Sequence, residues 1–174
     1  MDEAAEREFA EYFRARRDAV RRTAYLLCGD WHRADDHAQA TFVALHRHWR
    51  RIRDRSAVDA WVRRTLVRTV IDESRRPWRR ERPVGPAEVV PFGARLSGHA
   101  DLIATRQVLV GALRTIPPRQ RAVLVLRFLE GLDVAGTAAV LGCSQGTVKS
   151  QTSDGLAALR ARLGDALDDV ASAG

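Results

Sequence analysis

The sequence predicts an all-α protein built as two small helical domains joined by a flexible linker. Three observations predict it: apolar residues recur at helical spacing in both halves of the chain, no strand-like alternation persists anywhere, and four of the six prolines, at 77, 83, 86 and 91, fall in one short interval. A chain of 174 residues can hold two such domains, because a helical bundle buries a core with about 60–80 residues.

Phe9, Phe13, Val20, Ala24 and Leu27 recur at helical spacing and Gly29 supplies a stop, which gives a first helix. Ala34, Ala38, Phe42, Leu45, Trp49 and Ile52 then step by four and three, so all six share one stripe of a second. After the polar interval RDRSA a third helix runs from about Val58 to Arg76, with Val62, Leu66, Thr69 and Val70 inward and Val67 and Ile71 forming a second apolar flank. Gly85, Gly93 and Gly98 lie among or just beyond the clustered prolines, so regular structure is not expected between Pro77 and Ala100. The expected organisation is therefore 1–76, a linker over 77–100, 101–165, and a frayed tail over 166–174.

In the second half Leu102, Val108, Leu109 and Leu113 mark a helix ending before Ile116-Pro117-Pro118. Proline suits a first helical turn, so the next helix starts there and runs to about Leu129. Asp133 can cap a short helix over 134–141, and Gly142-Cys143-Ser144 turns the chain into a last helix with Val148, Thr152, Leu156, Leu159 and Leu163 inward. A small residue at Ala138, a glycine at 142 and a branched residue at Val148 have the offsets of a helix-turn-helix. In that arrangement the second helix enters the major groove of DNA, and Gln145, Thr147, Lys149, Ser150, Ser153 and Asp154 would face it.

Charge agrees with a polyanionic partner. The net charge is +7, of which residues 1–83 carry +6, and residues 47–82 hold thirteen Arg against five acids. On the third helix Trp61, Arg64, Arg68, Asp72 and Arg75 step by three, four, four and three and so share a narrow arc. Guanidinium groups can track phosphates there while a ring offers a stacking face, a surface that suits single-stranded DNA; the alternative is a solvated stripe with Trp61 in the core. Other classes find little support. Cys28 and Cys143 form neither a disulfide framework nor paired CxxC spacing, and the five histidines make no HExxH, so neither metal ligands nor catalytic residues are expected. There is no GxxxxGK[ST] loop, hence no ATP-driven step and no cofactor. The acidic start MDEAAEREF is unlike a signal peptide and no apolar run approaches the roughly 20 residues of a membrane span, so a cytoplasmic protein without membrane insertion is expected.

The segment IPPRQRAVLVLRFLEGLDVAGTAAVLGCSQGTVKSQTSDGLAALRARL resembles the fourth conserved region of extracytoplasmic-function sigma factors, through its proline–arginine–glutamine–arginine helix start, its leucine–glutamate–glycine corner and the GTVKS motif at Gly146 to Ser150. ADDHAQATF, Ala34 to Phe42, is similar to the family's docking motif, and AWVRRTLVRTVIDESRR to its promoter-melting helix. The resemblance implies a subunit of RNA polymerase that is not an enzyme. Asp35, Asp36 and Gln39 would contact the clamp coiled coil of the largest subunit, and the fourth region would lie near the flap. Trp61, Arg64, Arg68, Arg75 and Arg76 would meet the minus-ten element, with residues 52–58 as the specificity loop, and the helix-turn-helix would meet the minus-thirty-five element. It also implies an anti-sigma partner without identifying one. Ala40 stands where the family commonly has an acid, Arg68 where it often has asparagine, and Asp154 where many relatives have arginine. An acid among phosphates repels them unless it accepts a hydrogen bond from cytosine N4, so Asp154 is expected either to read a cytosine or to point to solvent and relieve charge on a weakly basic domain. The rival readings are a stand-alone helix-turn-helix regulator, which leaves the first half unexplained, and a helical nuclease, which lacks an acid set.

Overall fold

The computed structural model describes residues 3–75 and 100–172, with side chains over 3–75 and 107–164. Among these residues every regular element is helical. The first three are α1 (Glu3–Cys28), α2 (Trp31–His48) and α3 (Val58–Ser74). α1 ends where Gly29 adopts φ +74, a left-handed conformation that costs glycine little. α2 begins three residues before the expected Ala34, because Asp30 caps it by accepting a hydrogen bond from the Arg33 amide at 2.9 Å. The α2 stripe packs as its spacing predicts, with Ala34, Ala38, Phe42, Leu45 and Trp49 all buried. Trp49 lies in a 3-10 turn, Trp49–Arg51, that finishes α2. Phe9 and Phe13 of α1 close over this stripe edge-on, Phe9 against Trp49 and Phe13 against Phe42. α3 completes the bundle through Val58, Val62, Leu66 and Val70, and Val67 and Ile71 on its second flank are buried too. It ends at Ser74, two residues short of the expected boundary; Arg76 and residues 77–99 of the expected 77–100 linker lie outside the described residues, while Ala100 already belongs to the next helix.

The second half comprises α4 (Ala100–Thr115), α5 (Pro118–Leu124), α6 (Val134–Leu141) and α7 (Gln145–Ser172). Pro118 occupies the first turn of α5, as expected. The regular helix expected to reach Leu129 instead changes at Val125 into a π-helical turn, Val125–Leu129. The Glu130 amide donates to the Val125 carbonyl and the Leu132 amide to the Leu126 carbonyl, so the last turn widens and Gly131, at φ +70, redirects the chain. α7 runs to Ser172, past the expected boundary at 165. Leu113, Ile116 and Leu124 form one small core against Leu156 and Leu159 of α7. Val123, Ala138 and Val148 form another, which fixes α6 on α7. The two halves also touch: Ala122, Val125 and Leu126 belong to the same buried cluster as α1, α2 and α3.

Candidate nucleic-acid interface

The sequence places five residues on one arc of α3, and four of them, Arg64, Arg68, Asp72 and Arg75, are exposed. They stay outward because the apolar residues of the helix, Val58, Val62, Leu66, Val67, Val70 and Ile71, are buried on its other sides. Arg68 and Asp72 pair at 3.5 Å along the helix, so Asp72 offsets part of the charge beside Arg68 while Arg64 and Arg75 stand one step away on either side. Trp61 differs from its neighbours. It is half-buried, packs against the bundle core, and has the His48 ring 5.6 Å away.

The connection leading into α3 is closed by its own side chains. Asp54 accepts from both the amide and the hydroxyl of Ser56, at 2.9 and 2.7 Å, and these bonds hold its carboxyl below the ordinary value. The Arg55 guanidinium donates to the carbonyls of Trp49 and Ile52, at 2.9 and 2.6 Å, covers the Trp49 ring and meets Glu8 at 2.9 Å. A loop that reads as a polar interval is thus tied to α1 and α2, with Arg50, Arg51 and Arg53 exposed along it.

On α2 the three docking candidates, Asp35, Asp36 and Gln39, are all exposed, but not equivalent. Asp35 accepts from Arg21 of α1 in a two-pronged pair, Nε to Oδ1 and one terminal guanidinium nitrogen to Oδ2. Arg21 also lies 4.4 Å above the Trp31 ring, which stacks on Tyr25 at 3.9 Å. Asp35 therefore joins α2 to α1, and the outward face of the helix is Asp36 and Gln39 with exposed Ala40 and Val43. On the reverse side buried His37 meets Glu73 at 2.6 Å, and Arg33 reaches the same carboxylate at 3.4 Å. That pair ties α2 to the last turn of α3. Nothing in the periodicity singled it out, because His37 reads as one more polar residue on an acidic face.

The helix-turn-helix has the predicted geometry. Asp133 caps α6 by accepting from the Gly136 amide at 2.7 Å, and Gly142 turns the chain at φ +62. Ser144 then caps α7 through the Thr147 amide at 3.0 Å. Val148, fully buried, anchors α7, so Gln145, Thr147, Lys149, Ser150, Ser153 and Asp154 all project outward. Thr147 and Ser150 are in part occupied locally: the Thr147 hydroxyl bonds Ser144 and the Ser150 hydroxyl donates to the Thr147 carbonyl. Gly155, which the sequence did not flag, is buried where α7 crosses α5; a Cβ there would stand 3.2 Å from Leu124 Cγ. Among the described residues no group of three or more His, Cys, Asp or Glu comes together as a metal site.

Residues 12–80 match the family model described as Sigma-70 region 2, and residues 106–159 match Sigma-70, region 4. Those two modules on one chain define a transcription initiation factor of the sigma-70 class, which directs RNA polymerase to promoters. Similar proteins include the RNA polymerase sigma-E factor of Streptomyces avermitilis, 38% identical over 158 residues that cover 90% of this chain and 85% of that protein. The ECF RNA polymerase sigma factor SigM of Mycobacterium tuberculosis is 32% identical over 157 residues, 90% of this chain and 77% of SigM. The chain belongs to the extracytoplasmic-function sigma factors. Its fold is also that of the sigma factor RpoE of Bartonella quintana, solved with the anti-sigma factor NepR, at a TM-score of 0.71 and 24% identity over 90% of this chain and 96% of that one. No helix among the described residues is long and apolar enough to cross a membrane.

Proposed function

We propose that the two exposed surfaces divide promoter recognition between them. The Arg64, Arg68 and Arg75 arc, with Arg76 beyond it and Trp61 at its start, engages the minus-ten element as single strand. The outward face of α7, Gln145 to Asp154, engages the minus-thirty-five element as duplex. Residues 1–76 and 101–165 act as the two reading domains, 77–100 as the tether, and α2 docks on the clamp coiled coil chiefly through Asp36 and Gln39. The observation that carries this reading is that each surface lies on the outer side of a helix whose inner side is buried, in two separate modules.

The physical division follows from the side chains. The α3 arc offers guanidinium groups and few neutral donors, which favours phosphate contacts and tolerates unpaired strands. The α7 face offers one Lys, one Asp and several neutral hydrogen-bonding groups, which favours base edges. Held on one polymerase, the second contact becomes effectively intramolecular, so neither domain needs tight binding alone. Melting draws on binding energy, through capture of displaced bases beside the 52–58 loop. The protein works in the cytoplasm, without catalytic residues or cofactor of its own. The sigma factor RpoE has been solved with the anti-sigma factor NepR, and CnrH, of similar fold, with the cytosolic domain of CnrY; an anti-sigma partner is part of this proposal.

In vitro transcription with core polymerase over a random promoter library tests the reading. Transcripts dependent on this chain, with two separated elements enriched, are the expected result. Duplex binding with no transcription would favour the stand-alone regulator instead.

A further inference from the structure

At the start of the α3 arc, Trp61 faces a residue of another helix, His48 at the end of α2. The two rings lie 5.6 Å apart at an interplanar angle of 38°, and both side chains are half-buried. His46, two residues earlier, is used differently: its ring meets Phe9 of α1 edge-on at 5.0 Å.

One hydrogen bond fixes what His48 can offer. Its Nδ1 lies 2.8 Å from the Ala44 carbonyl, one turn back on α2. A carbonyl only accepts, so Nδ1 carries the proton and donates, and the neutral ring then presents Nε2 as a bare acceptor. Ring geometry directs Nε2 away from that bond. It takes no hydrogen bond among the described residues and is not sealed from solvent.

The surroundings are open and cationic. Ala57 and Ala60, on the turn leading into Trp61, are exposed and add little bulk beside the indole, while Arg51, Arg53 and Arg64 are exposed on either side in sequence. The two acids of this stretch are committed elsewhere, Asp54 to Ser56 and Asp59 to Tyr12 and Arg16. An unpaired base stacked on Trp61, with its phosphates on these arginines, brings its edge to His48. Adenine and cytosine carry an amino group there, N6 or N4, where guanine and thymine carry a carbonyl oxygen. A lone-pair nitrogen accepts from the first pair and repels the second.

We infer that His48 is a specificity-determining residue of the minus-ten surface: its Nε2 accepts a hydrogen bond from the exocyclic amino group of one unpaired adenine or cytosine seated on Trp61. The inference rests on the single-strand reading of the α3 arc proposed above, and adds to it a base preference that phosphate contacts alone do not give.

The test is a cycle between side chain and base, run with holoenzyme on a fluorescent minus-ten strand taken from a promoter selected in the library experiment. Each adenine in turn is replaced by purine, and each cytosine by the pyrimidinone that lacks N4, so that only the amino group is deleted. At one position the deletion should weaken binding by the parent about threefold to tenfold. It should leave binding unchanged in His48→Phe, which keeps an aromatic ring without an acceptor, and in His48→Ala, which adds no bulk. Equal losses in the parent and both variants at every position overturn the role of His48, as does a selected minus-ten strand made of guanine and thymine alone. Strand binding that is unaltered in Trp61→Leu removes the seat and overturns it too. Holoenzyme whose strand binding is indifferent to Arg64→Ala, Arg68→Ala and Arg75→Ala combined refutes the single-strand reading itself, an outcome distinct from a flat cycle on a strand that those arginines still hold.

Discussion

Replacing Arg121 by Met removes a buried cation whose partners are all backbone carbonyls. Its guanidinium donates to the Leu27, Arg114 and Ile116 oxygens, at 2.8, 3.0 and 3.0 Å. It thus caps the end of α4 and reaches the end of α1 in one stroke. Hydrogen bonds to a charged group contribute about 1.5–3 kcal/mol each, so three are worth roughly 5–9 kcal/mol gross. Burial opposes them: it pushes the guanidinium well below its ordinary value, down to about 10, a penalty of about 3 kcal/mol at 1.4 kcal/mol per pKa unit. Met fills similar volume and removes that penalty, but leaves three carbonyls without a donor. The net expectation is a loss of roughly 2–5 kcal/mol, a fall of more than about 10 °C in the melting temperature of so small a domain. Urea and thermal unfolding of the full chain, followed by circular dichroism, measure it. A variant within about 0.5 kcal/mol of the parent would refute the view that this arginine organises two helix ends.

Gly142→Ala should cost about 1–2 kcal/mol through backbone strain alone, since φ is +62 and a Cβ there would meet nothing within 4 Å; chemical denaturation reads this directly. Burial raises the Cys28 thiol from 9.0 to about 11. Between those pH values the unfolded chain loses the thiol proton while the folded chain keeps it, so stability falls as pH rises. Relative to Cys28→Ala, the parent should lose about 1 kcal/mol between pH 9 and 10, read from urea midpoints. Arg64→Ala should lower the log–log salt slope of minus-ten strand binding by holoenzyme by about 0.7, and Arg68→Ala by less because Asp72 shares its charge; fluorescence anisotropy across a salt series separates the two. Asp154→Asn should change base preference at one upstream position, and a uniform gain in affinity across sequences would show that Asp154 faces solvent instead.

The helices were legible because their causes are local. The α2 stripe follows from its three-and-four spacing, the Pro118 start from proline's missing amide, and the Gly142 turn from glycine's tolerance of positive φ. The exposed faces of α3 and α7 were legible for the same reason, as the complements of apolar stripes. What stayed hidden depends on distant partners. Arg121 reads as part of a basic helix start, and its burial appears only when Leu27, 94 residues away, lies beneath it. Glu130 reads as a corner residue until Thr23, 107 residues away, comes beside it. Asp35 reads as a docking acid, and nothing in α2 reveals that Arg21 also engages it across the bundle. Val67 and Ile71 are the instructive intermediate: the sequence showed a second apolar flank on α3, but not that the buried cluster it joins also takes in Ala122, Val125 and Leu126 from the other half of the chain. The π-helical turn at Val125 escaped notice because its widening depends on amide bonds to Glu130 and Leu132 that the apolar pattern does not encode.

Two readers working at a set separation on one duplex is the central claim, and changing that separation tests it most directly. Inserting five base pairs between the two elements of a selected promoter turns one roughly half a helical turn away from the other. Transcription directed by this chain with core polymerase should fall at least about tenfold; transcription that continues at the parental level would mean that a single element suffices.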